Sequence, residues 1–207
     1  MVVIGFMGAM NVGKTAVLKL FVDYVEKNKV AKIDGGAPCT IEKVDFKGES
    51  VIPAEEGGDS YTKTVTPNKV VFLETGTDRS HTLFAPGGDK DKSVVRMGII
   101  TVSRIAKEVV AIFAVNESLV EQFQLYDLIR YIPKSIYVCF NKSDLIPDEQ
   151  ARAKVIEKMK KEIEAYFAKR QISIKDYFQT CAIDKPGMTA LNDNTARMIL
   201  DIALGRK

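Results

Sequence analysis

The fold class of this 207-residue chain is decided by one segment, Gly8-Ala-Met-Asn-Val-Gly13-Lys14-Thr15. The segment has the Walker A spacing, in which a glycine and four variable residues precede Gly-Lys-Thr. Its two glycines let the backbone turn tightly, so that the N–H groups converge on phosphate oxygens. The apolar run Val2 to Met7 predicts a buried strand before the loop, and a helix is predicted from Gly13 to about Lys27. Strand, loop and helix in this order predict a phosphate-binding loop.

The loop offers three kinds of group to a bound phosphate. Lys14 is expected to reach the outer phosphates as a point charge, and the Thr15 hydroxyl is expected to ligate Mg²⁺. The helix that starts here adds the positive end of its dipole to the backbone N–H groups. The residues predicted to contact phosphate are Gly8, Asn11, Val12, Gly13, Lys14 and Thr15.

Strands and helices alternate along the rest of the chain. Further strands are predicted at Val70 to Glu74, Thr82 to Ala85, Val109 to Val115, Ile136 to Phe140 and Tyr177 to Ala182. Further helices are predicted at Ser93 to Lys107, Leu119 to Tyr131, Ala151 to Lys169 and Thr189 to Leu204. The first two of these strands are predicted to form an antiparallel hairpin. The order predicts one three-layer α/β/α domain over residues 1–207, with a mostly parallel sheet and one antiparallel strand.

Residues 28–67 interrupt this pattern. The stretch contains Gly35-Gly36, Pro38, Pro53 and Gly57-Gly58, and its hydrophobic pattern is irregular. A connection of this length without secondary structure is unusual in a compact domain. The stretch is therefore either functional or partly folded as a small hairpin.

Composition excludes several classes of protein. The net charge is only +3 and the basic residues are interspersed with acidic ones, so nucleic acid is not a predicted partner. The three cysteines, Cys39, Cys139 and Cys181, lack metal-ligand spacing and are expected to be reduced thiols. No apolar run approaches the ~20 residues of a membrane span, and no lipidation motif is visible. A cytoplasmic protein without a membrane anchor is expected.

A second motif, Asn141-Lys142-Ser143-Asp144, follows the predicted strand Ile136 to Phe140. It resembles the Asn-Lys-x-Asp base-recognition motif of the Ras-like GTPase superfamily. A carboxylate at Asp144 can accept from both N–H donors on the Watson–Crick edge of guanine, whereas adenine offers an acceptor at one of those places. Asn141 is expected to brace the site, and the stem of Lys142 is expected to cover the base.

The resemblance implies GTP and GDP as ligands, Mg²⁺ as cofactor, and a third base-binding segment. Thr180-Cys181-Ala182 resembles the Ser-Ala-Lys motif of the family, whose backbone contacts the guanine oxygen. In this alignment the N–H of Ala182 supplies the contact, and Cys181 lies beside it. The segment is predicted to end the last strand.

The second switch departs from the family pattern Asp-x-x-Gly. The segment here reads Leu83-Phe84-Ala85-Pro86-Gly87-Gly88-Asp89. Aligning on Pro86-Gly87 puts Phe84 where the Mg²⁺-binding aspartate stands, and aligning on Gly88 puts Ala85 there. The glutamine that orients the attacking water is also missing, although Asp89 or Asp91 could take over one role. The Pro-Gly form resembles the prokaryotic branch, which includes polarity-type small GTPases, and Gly87 is predicted to contact phosphate.

The family also needs a switch threonine that closes on Mg²⁺ and the γ-phosphate. Thr62, Thr64 and Thr66 all precede the second predicted strand. Thr64 is favoured as the metal ligand and as a catalytic residue beside Lys14, with Thr66 second.

Three more residues are weighed for roles in this site. Arg96, and less strongly Arg79, could act as an internal arginine finger. The single histidine, His81, has no neighbouring Cys or His in the sequence and is predicted to be a strand surface residue rather than a metal ligand.

These residues predict a molecular switch that binds GTP and GDP and hydrolyses GTP slowly. An effector or activating protein is expected to bind through residues of about 28–92. One alternative is a guanine-nucleotide-binding module that does not hydrolyse its ligand. A second alternative is a P-loop ATPase or kinase, because the Walker A pattern is shared with both.

Overall fold

Within residues 1–33, 39–52, 61–89 and 91–206, which the computed structural model describes, the chain forms nine strands and five α-helices. The strands are β1 (Val3–Met7), β2 (Cys39–Asp45), β3 (Glu49–Ile52), β4 (Tyr61–Thr64), β5 (Asn68–Glu74), β6 (Ser80–Ala85), β7 (Glu108–Ala114), β8 (Ser135–Asn141) and β9 (Ser173–Gln179). The helices are α1 (Lys14–Glu26), α2 (Ser93–Ile105), α3 (Leu119–Asp127), α4 (Glu149–Lys169) and α5 (Thr189–Leu204). Two 3₁₀ turns occur at Val30–Lys32 and Ser143–Leu145.

The main sheet has seven strands in the order β2-β5-β6-β1-β7-β8-β9. Strand β5 alone runs antiparallel to the other six, because it pairs antiparallel with both β2 and β6. Strand β1 lies near the middle of the sheet and pairs in parallel with β6 and β7. All five of its residues are buried, as expected for a parallel strand that is covered on both faces. The predicted sheet, mostly parallel with one antiparallel strand, is confirmed.

Helices cover both faces of the sheet and give three layers. Helices α1 and α5 pack on one face, where Phe21 and Ile199 are fully buried. Helices α2, α3 and α4 pack on the other face, where the rings of Phe113, Tyr126 and Phe167 contact one another. Burying each such large apolar side chain stabilises the fold by roughly 1.5–3 kcal/mol. None of the described helices is long and apolar enough to cross a membrane.

Two predicted elements, the last strand and the third helix, have bounds that differ from the structure by three or more residues. The last strand ends at Gln179, three residues before the predicted end, and it starts at Ser173. Its charged residues Lys175 and Asp176 obscured the strand pattern, but an edge strand tolerates such residues, and Lys175 pairs with Glu108 at 2.6 Å. Helix α3 ends at Asp127, because the next two N–H groups bond to carbonyls only three residues back.

The stretch 28–67 is partly folded, as one of the two alternatives anticipated. Strand β2 pairs with β5 at the edge of the main sheet, and β3 and β4 form a separate antiparallel pair. The N–H of Val65 donates to the carbonyl of Gly48 at 2.8 Å and closes the base of this hairpin. Residues 34–38 and 53–60 lie outside the described residues. The hairpin delivers its last residue, Thr64, toward the phosphate-binding loop.

The prediction that His81 lies on the surface was wrong. Its side chain is buried and stacks on Phe72 with the ring centroids 5.0 Å apart. Strand β6 lies between β5 and β1, so a residue on either of its faces is covered by helices. Burial lowers the pKa of His81 below its ordinary value.

Candidate nucleotide-binding site

The loop between β1 and α1 wraps around the side chain of Lys14. The ammonium group donates hydrogen bonds to the carbonyl oxygens of Gly8 and Ala9, both at 2.7 Å. Gly13 adopts φ 94°, a left-handed conformation that L side chains rarely adopt. A Cβ on Gly8 would lie 2.6 Å from the carbonyl oxygen of Ile112, so the loop also packs too closely for a side chain there. The sequence therefore builds the tight turn that the motif predicts.

Lys14 is buried among uncharged groups, with 7% of its surface exposed. Burial lowers the pKa of Lys14 to about 7, because removing an ammonium from water disfavours its charged form. A phosphate beside it would restore the charge, since an opposite charge at close range favours the ionised form. The electrostatics of the loop are therefore suited to an anion.

The hydroxyl groups of Thr15 and Thr64 meet at the first turn of α1. Their oxygens lie 3.3 Å apart. Adjacent ligands of an octahedral Mg²⁺ are about 2.9 Å apart when each metal–oxygen distance is about 2.05 Å. The two hydroxyls are hard oxygen donors at close to this separation, so they fit the metal that the resemblance implies.

Among the candidate switch threonines, Thr64 lies beside Thr15. Thr66 is exposed, and its backbone and hydroxyl pack on Gly48. The side chain of Thr62 lies outside the described residues. A residue that sequence reasoning missed joins the cluster: the Nδ2 of Asn68 donates to the Thr15 hydroxyl at 2.8 Å.

The two glycines of the second switch lie against different partners. A Cβ on Gly87 would lie 2.2 Å from the carbonyl oxygen of Thr64. A Cβ on Gly88 would lie 2.4 Å from backbone atoms of Ala9 and Met10. Gly88 therefore packs on the phosphate-binding loop itself and is a candidate site residue that sequence reasoning did not assign. A phosphate contact by Gly87 stays a prediction.

A cavity lined by several carboxylates borders the phosphate-binding loop, and Ala9 and Asn11 of the loop form part of its wall. It has a volume of about 420 Å³, and its lining includes Met10, Asp89, Asp91, Glu117 and Glu121. Four carboxylates would repel a phosphate, so a phosphate is expected against the amides of the loop rather than beside these side chains.

Asn141 ties the predicted base-binding motif to the phosphate-binding loop. It is the last residue of β8, and its Nδ2 donates to the carbonyl oxygen of Val12 at 2.9 Å. Its Oδ1 accepts from the Thr180 hydroxyl at 3.1 Å. Lys142 follows in the left-handed region with φ 60° and lies 3.5 Å from Glu117. The side chain of Asn141 thus braces three segments.

The carboxylate of Asp144 is held in the 3₁₀ turn after β8. Only 7% of Asp144 is exposed, and its Oδ2 lies 3.8 Å from the ammonium of Lys185. The turn is anchored by Ser143, whose N–H donates to the carbonyl of Thr180 at 3.2 Å. A carboxylate held this way can accept hydrogen bonds from a base edge.

Thr180, Cys181 and Ala182 lie just beyond the end of β9 and are all buried. The Nδ2 of Asn192 donates to the carbonyl of Cys181 at 2.6 Å and fixes the segment on α5. Burial raises the pKa of Cys181 to about 11, so its thiol stays protonated. The predicted base-binding residues therefore lie on two loops at the carboxyl ends of β8 and β9, where ligands bind in open α/β sheets.

The sequence matches no model of a protein family and no curated protein. Its structure is similar to many solved structures, including those of two elongation factors and of Era. The bacterial selenocysteine-specific elongation factor EF-Sec superposes with a TM-score of 0.55 at 12% identity, covering 96% of this chain and 28% of that protein. SelB from Methanococcus maripaludis, in complex with the GTP analogue GPPNHP, gives 0.53 at 16% identity, covering 99% and 34%. Era in complex with MgGDPNP and a segment of 16S ribosomal RNA gives 0.59 at 15% identity, covering 96% and 55%.

The chain shares the three-layer α/β fold of these three proteins. It spans between about a quarter and just over half of the length of these three proteins. The identities are low, so the likeness concerns the fold. Within this fold, both predicted motifs lie at one end of the sheet and contact each other through Asn141.

The two arginines that sequence reasoning weighed as internal fingers are both exposed. Arg96 lies on the solvent side of α2, and Arg79 lies in the turn before β6, at the opposite end of that strand from Ala85. Among the described residues, neither side chain forms a hydrogen bond with the phosphate-binding loop.

Proposed function

We propose that this protein is a guanine-nucleotide-binding molecular switch that binds GTP and GDP with Mg²⁺ and hydrolyses GTP slowly. One observation carries the proposal, the hydrogen bond from Asn141 to the carbonyl of Val12. This bond joins the loop whose groups suit phosphate to the motif whose groups suit guanine, and a single side chain bridges the two. A nucleotide could therefore contact both motifs at once.

Each part of the nucleotide has a proposed partner. The N–H groups of the phosphate-binding loop and the ammonium of Lys14 bind the phosphates. The hydroxyls of Thr15 and Thr64 hold Mg²⁺, which neutralises charge on the transferred phosphoryl group. Asp144 accepts from the guanine edge, and the N–H of Ala182 binds the guanine oxygen.

Hydrolysis by the protein alone is expected to be slow, on the order of 10⁻⁴ to 10⁻³ s⁻¹. Pro86, Gly87 and Gly88 have no side chain that could orient the attacking water. A partner that inserts an arginine typically accelerates such reactions by 10³ to 10⁵. The surface for an effector or activating partner is proposed to include the β3–β4 hairpin and α2, within residues of about 28–92. The Pro86-Gly87 form favours the prokaryotic, polarity-type branch of the Ras-like proteins. The three free cysteines favour a cytoplasmic location.

The substitution Asp144→Asn tests the proposal, because it should change which base the protein prefers. The substitution replaces an acceptor with a donor, and xanthine carries an oxygen where guanine carries its amino group. Loss of a charge-assisted hydrogen bond costs on the order of 1.5–3 kcal/mol, so GTP affinity should fall at least tenfold while XTP affinity rises.

Asp148→Asn is the matched control, because it makes the same chemical change four residues away. Asp148 caps α4 by accepting from the N–H of Ala151, and asparagine is an equally good cap. Unchanged GTP affinity in the Asp144 variant would show that this carboxylate does not read the base.

The non-hydrolysing guanine-nucleotide-binding module is the second candidate. The observation that favours it is the absence of a carboxylate from the segment Phe84 to Gly88. A hydrolysis assay with and without cell extract separates the two functions, because a switch hydrolyses GTP at least when its partner is present. Asp144 argues against the ATPase or kinase alternative, because its carboxylate suits the edge of guanine and not that of adenine. Displacement of bound GDP by excess ATP would support that alternative.

A further inference from the structure

A buried amide contacts the proposed metal ligand in the phosphate-binding loop. Asn68 is the first residue of β5 and its side chain is fully buried. Its Nδ2 donates to the hydroxyl oxygen of Thr15 at 2.8 Å, and that oxygen lies 3.3 Å from the hydroxyl of Thr64. The amide therefore touches the residue that would bind Mg²⁺.

The position of Asn68 in the sheet explains how it reaches this place. Strand β5 runs antiparallel to β6, so its first residue pairs with the last residue of β6, Ala85. Ala85 is one of the two positions at which the sequence lacks the carboxylate of the second switch. A polar side chain thus enters from the neighbouring strand beside the position where that carboxylate is missing.

The chemistry of the contact suits the orientation of a metal ligand. A threonine hydroxyl has one donor and two lone pairs. When the amide of Asn68 donates into one lone pair, the other lone pair of the Thr15 oxygen remains for a metal. The amide carries no charge, however, so it can orient the hydroxyl but cannot attract the cation as a carboxylate would.

The described partners of the Thr15 hydroxyl carry no charge, because they are the hydroxyl of Thr64 and the amide of Asn68. Within the described ranges, no group of three or more acidic, histidine or cysteine side chains could hold a metal ion. Mg²⁺ sites in proteins ordinarily combine one or two carboxylates with substrate phosphates. Retention of Mg²⁺ here would therefore depend mainly on the phosphates of the nucleotide.

We propose that Asn68 is the positioning residue that orients Thr15 toward Mg²⁺ in place of the missing carboxylate. Because the amide is neutral, the protein holds Mg²⁺ loosely and releases it readily once the nucleotide has lost its γ-phosphate. This inference rests on the proposed function, since it concerns the metal that accompanies a bound nucleotide.

The test measures how fast a fluorescent GDP analogue leaves the protein over a series of Mg²⁺ concentrations from micromolar to millimolar. The midpoint is the Mg²⁺ concentration at which the release rate lies halfway between its values without Mg²⁺ and at saturating Mg²⁺. It measures how tightly the metal is held. Asn68→Asp is isosteric and adds a negative charge, so the midpoint should fall about tenfold or more. Asn68→Ala removes the hydrogen bond to Thr15, so the midpoint should rise about fivefold.

A double-mutant cycle separates orientation of Thr15 from a general effect on the fold. In a Thr15→Ala background, Asn68→Ala should change the midpoint no further, because the group that it orients is gone. Asn192→Ala is the matched control, since it removes another buried asparagine, one that holds the carbonyl of Cys181. It should speed release at every Mg²⁺ concentration and leave the midpoint unchanged.

Circular dichroism establishes that each variant is folded, and Asn68→Ser replaces Asn68→Ala if the alanine variant does not fold. An unchanged midpoint in both Asn68→Asp and the smaller variant, with GDP still bound, overturns this inference alone. Failure of the wild-type protein to bind GDP overturns the proposed function, and the inference falls with it.

Discussion

The lowered pKa of Lys14 predicts that nucleotide binding is coupled to proton uptake. In the empty protein, burial brings the pKa of Lys14 to about 7, against an ordinary value of about 10.4. At about pH 8.5 the empty protein therefore holds this lysine mostly neutral, whereas a phosphate beside it restores the charge. The phosphates of GDP are already ionised there, because the second pKa of a phosphate is about 6. Binding should take up close to one proton.

The affinity for GDP should therefore fall as the pH rises, by up to about tenfold between pH 7.5 and 8.5. The stability of the empty protein should change in the opposite direction. Between about pH 7 and 10 the unfolded chain binds the proton of this lysine and the folded chain does not, so the free energy of unfolding rises with pH.

Isothermal titration of GDP into the empty protein, in buffers that differ in ionisation enthalpy, counts the protons directly. Lys14→Met keeps a similar shape without the charge and should lose both most of the affinity and the proton uptake. A wild-type protein that binds GDP with no proton uptake and with the same affinity at both pH values would refute the reasoning.

Two further predictions follow from packing. Gly88→Ala should weaken GDP binding at least tenfold, since the added Cβ would lie 2.4 Å from the backbone of Ala9. In the control Gly76→Ala the Cβ meets nothing within 4 Å, so its φ of 84° should cost stability but leave GDP affinity unchanged in the same titration. His81 should make the protein less stable below about pH 6.5, because burial lowers its pKa and the unfolded chain then binds the extra proton. Urea unfolding at several pH values measures this slope, and a slope that persists in His81→Phe would assign it to other groups.

The phosphate-binding loop, the three layers and the bounds of α5 could all be predicted from the sequence. These features depend on neighbours along the chain. A Walker A loop is a local turn whose glycines allow a backbone conformation that few other residues adopt. A helix such as α5 shows its apolar face at a period that its own residues set. Local physics therefore determined the strand, the loop and the helix that define the fold class.

The site residues could also be predicted from local motifs, but the distances between these residues could not. Asn141 and Val12 are far apart in the sequence, and only the pairing of β1 with β7 and of β7 with β8 brings their atoms to 2.9 Å. The strand β9 was displaced in the prediction because its register is decided by β8 and not by its own hydrophobic pattern. Tertiary pairing decides both features.

Asn68, Gly88 and His81 show what only the tertiary structure decided. Asn68 and His81 lie outside any motif and Gly88 lies in the segment of the second switch, and each acquires its environment from a strand or loop elsewhere in the chain. The register of β5 against β6 puts Asn68 beside Ala85, and the packing of the second switch puts Gly88 on the phosphate-binding loop. The physical reason is that burial and hydrogen bonding across a sheet depend on which strands are neighbours, whereas a sequence motif reports only which residues follow one another.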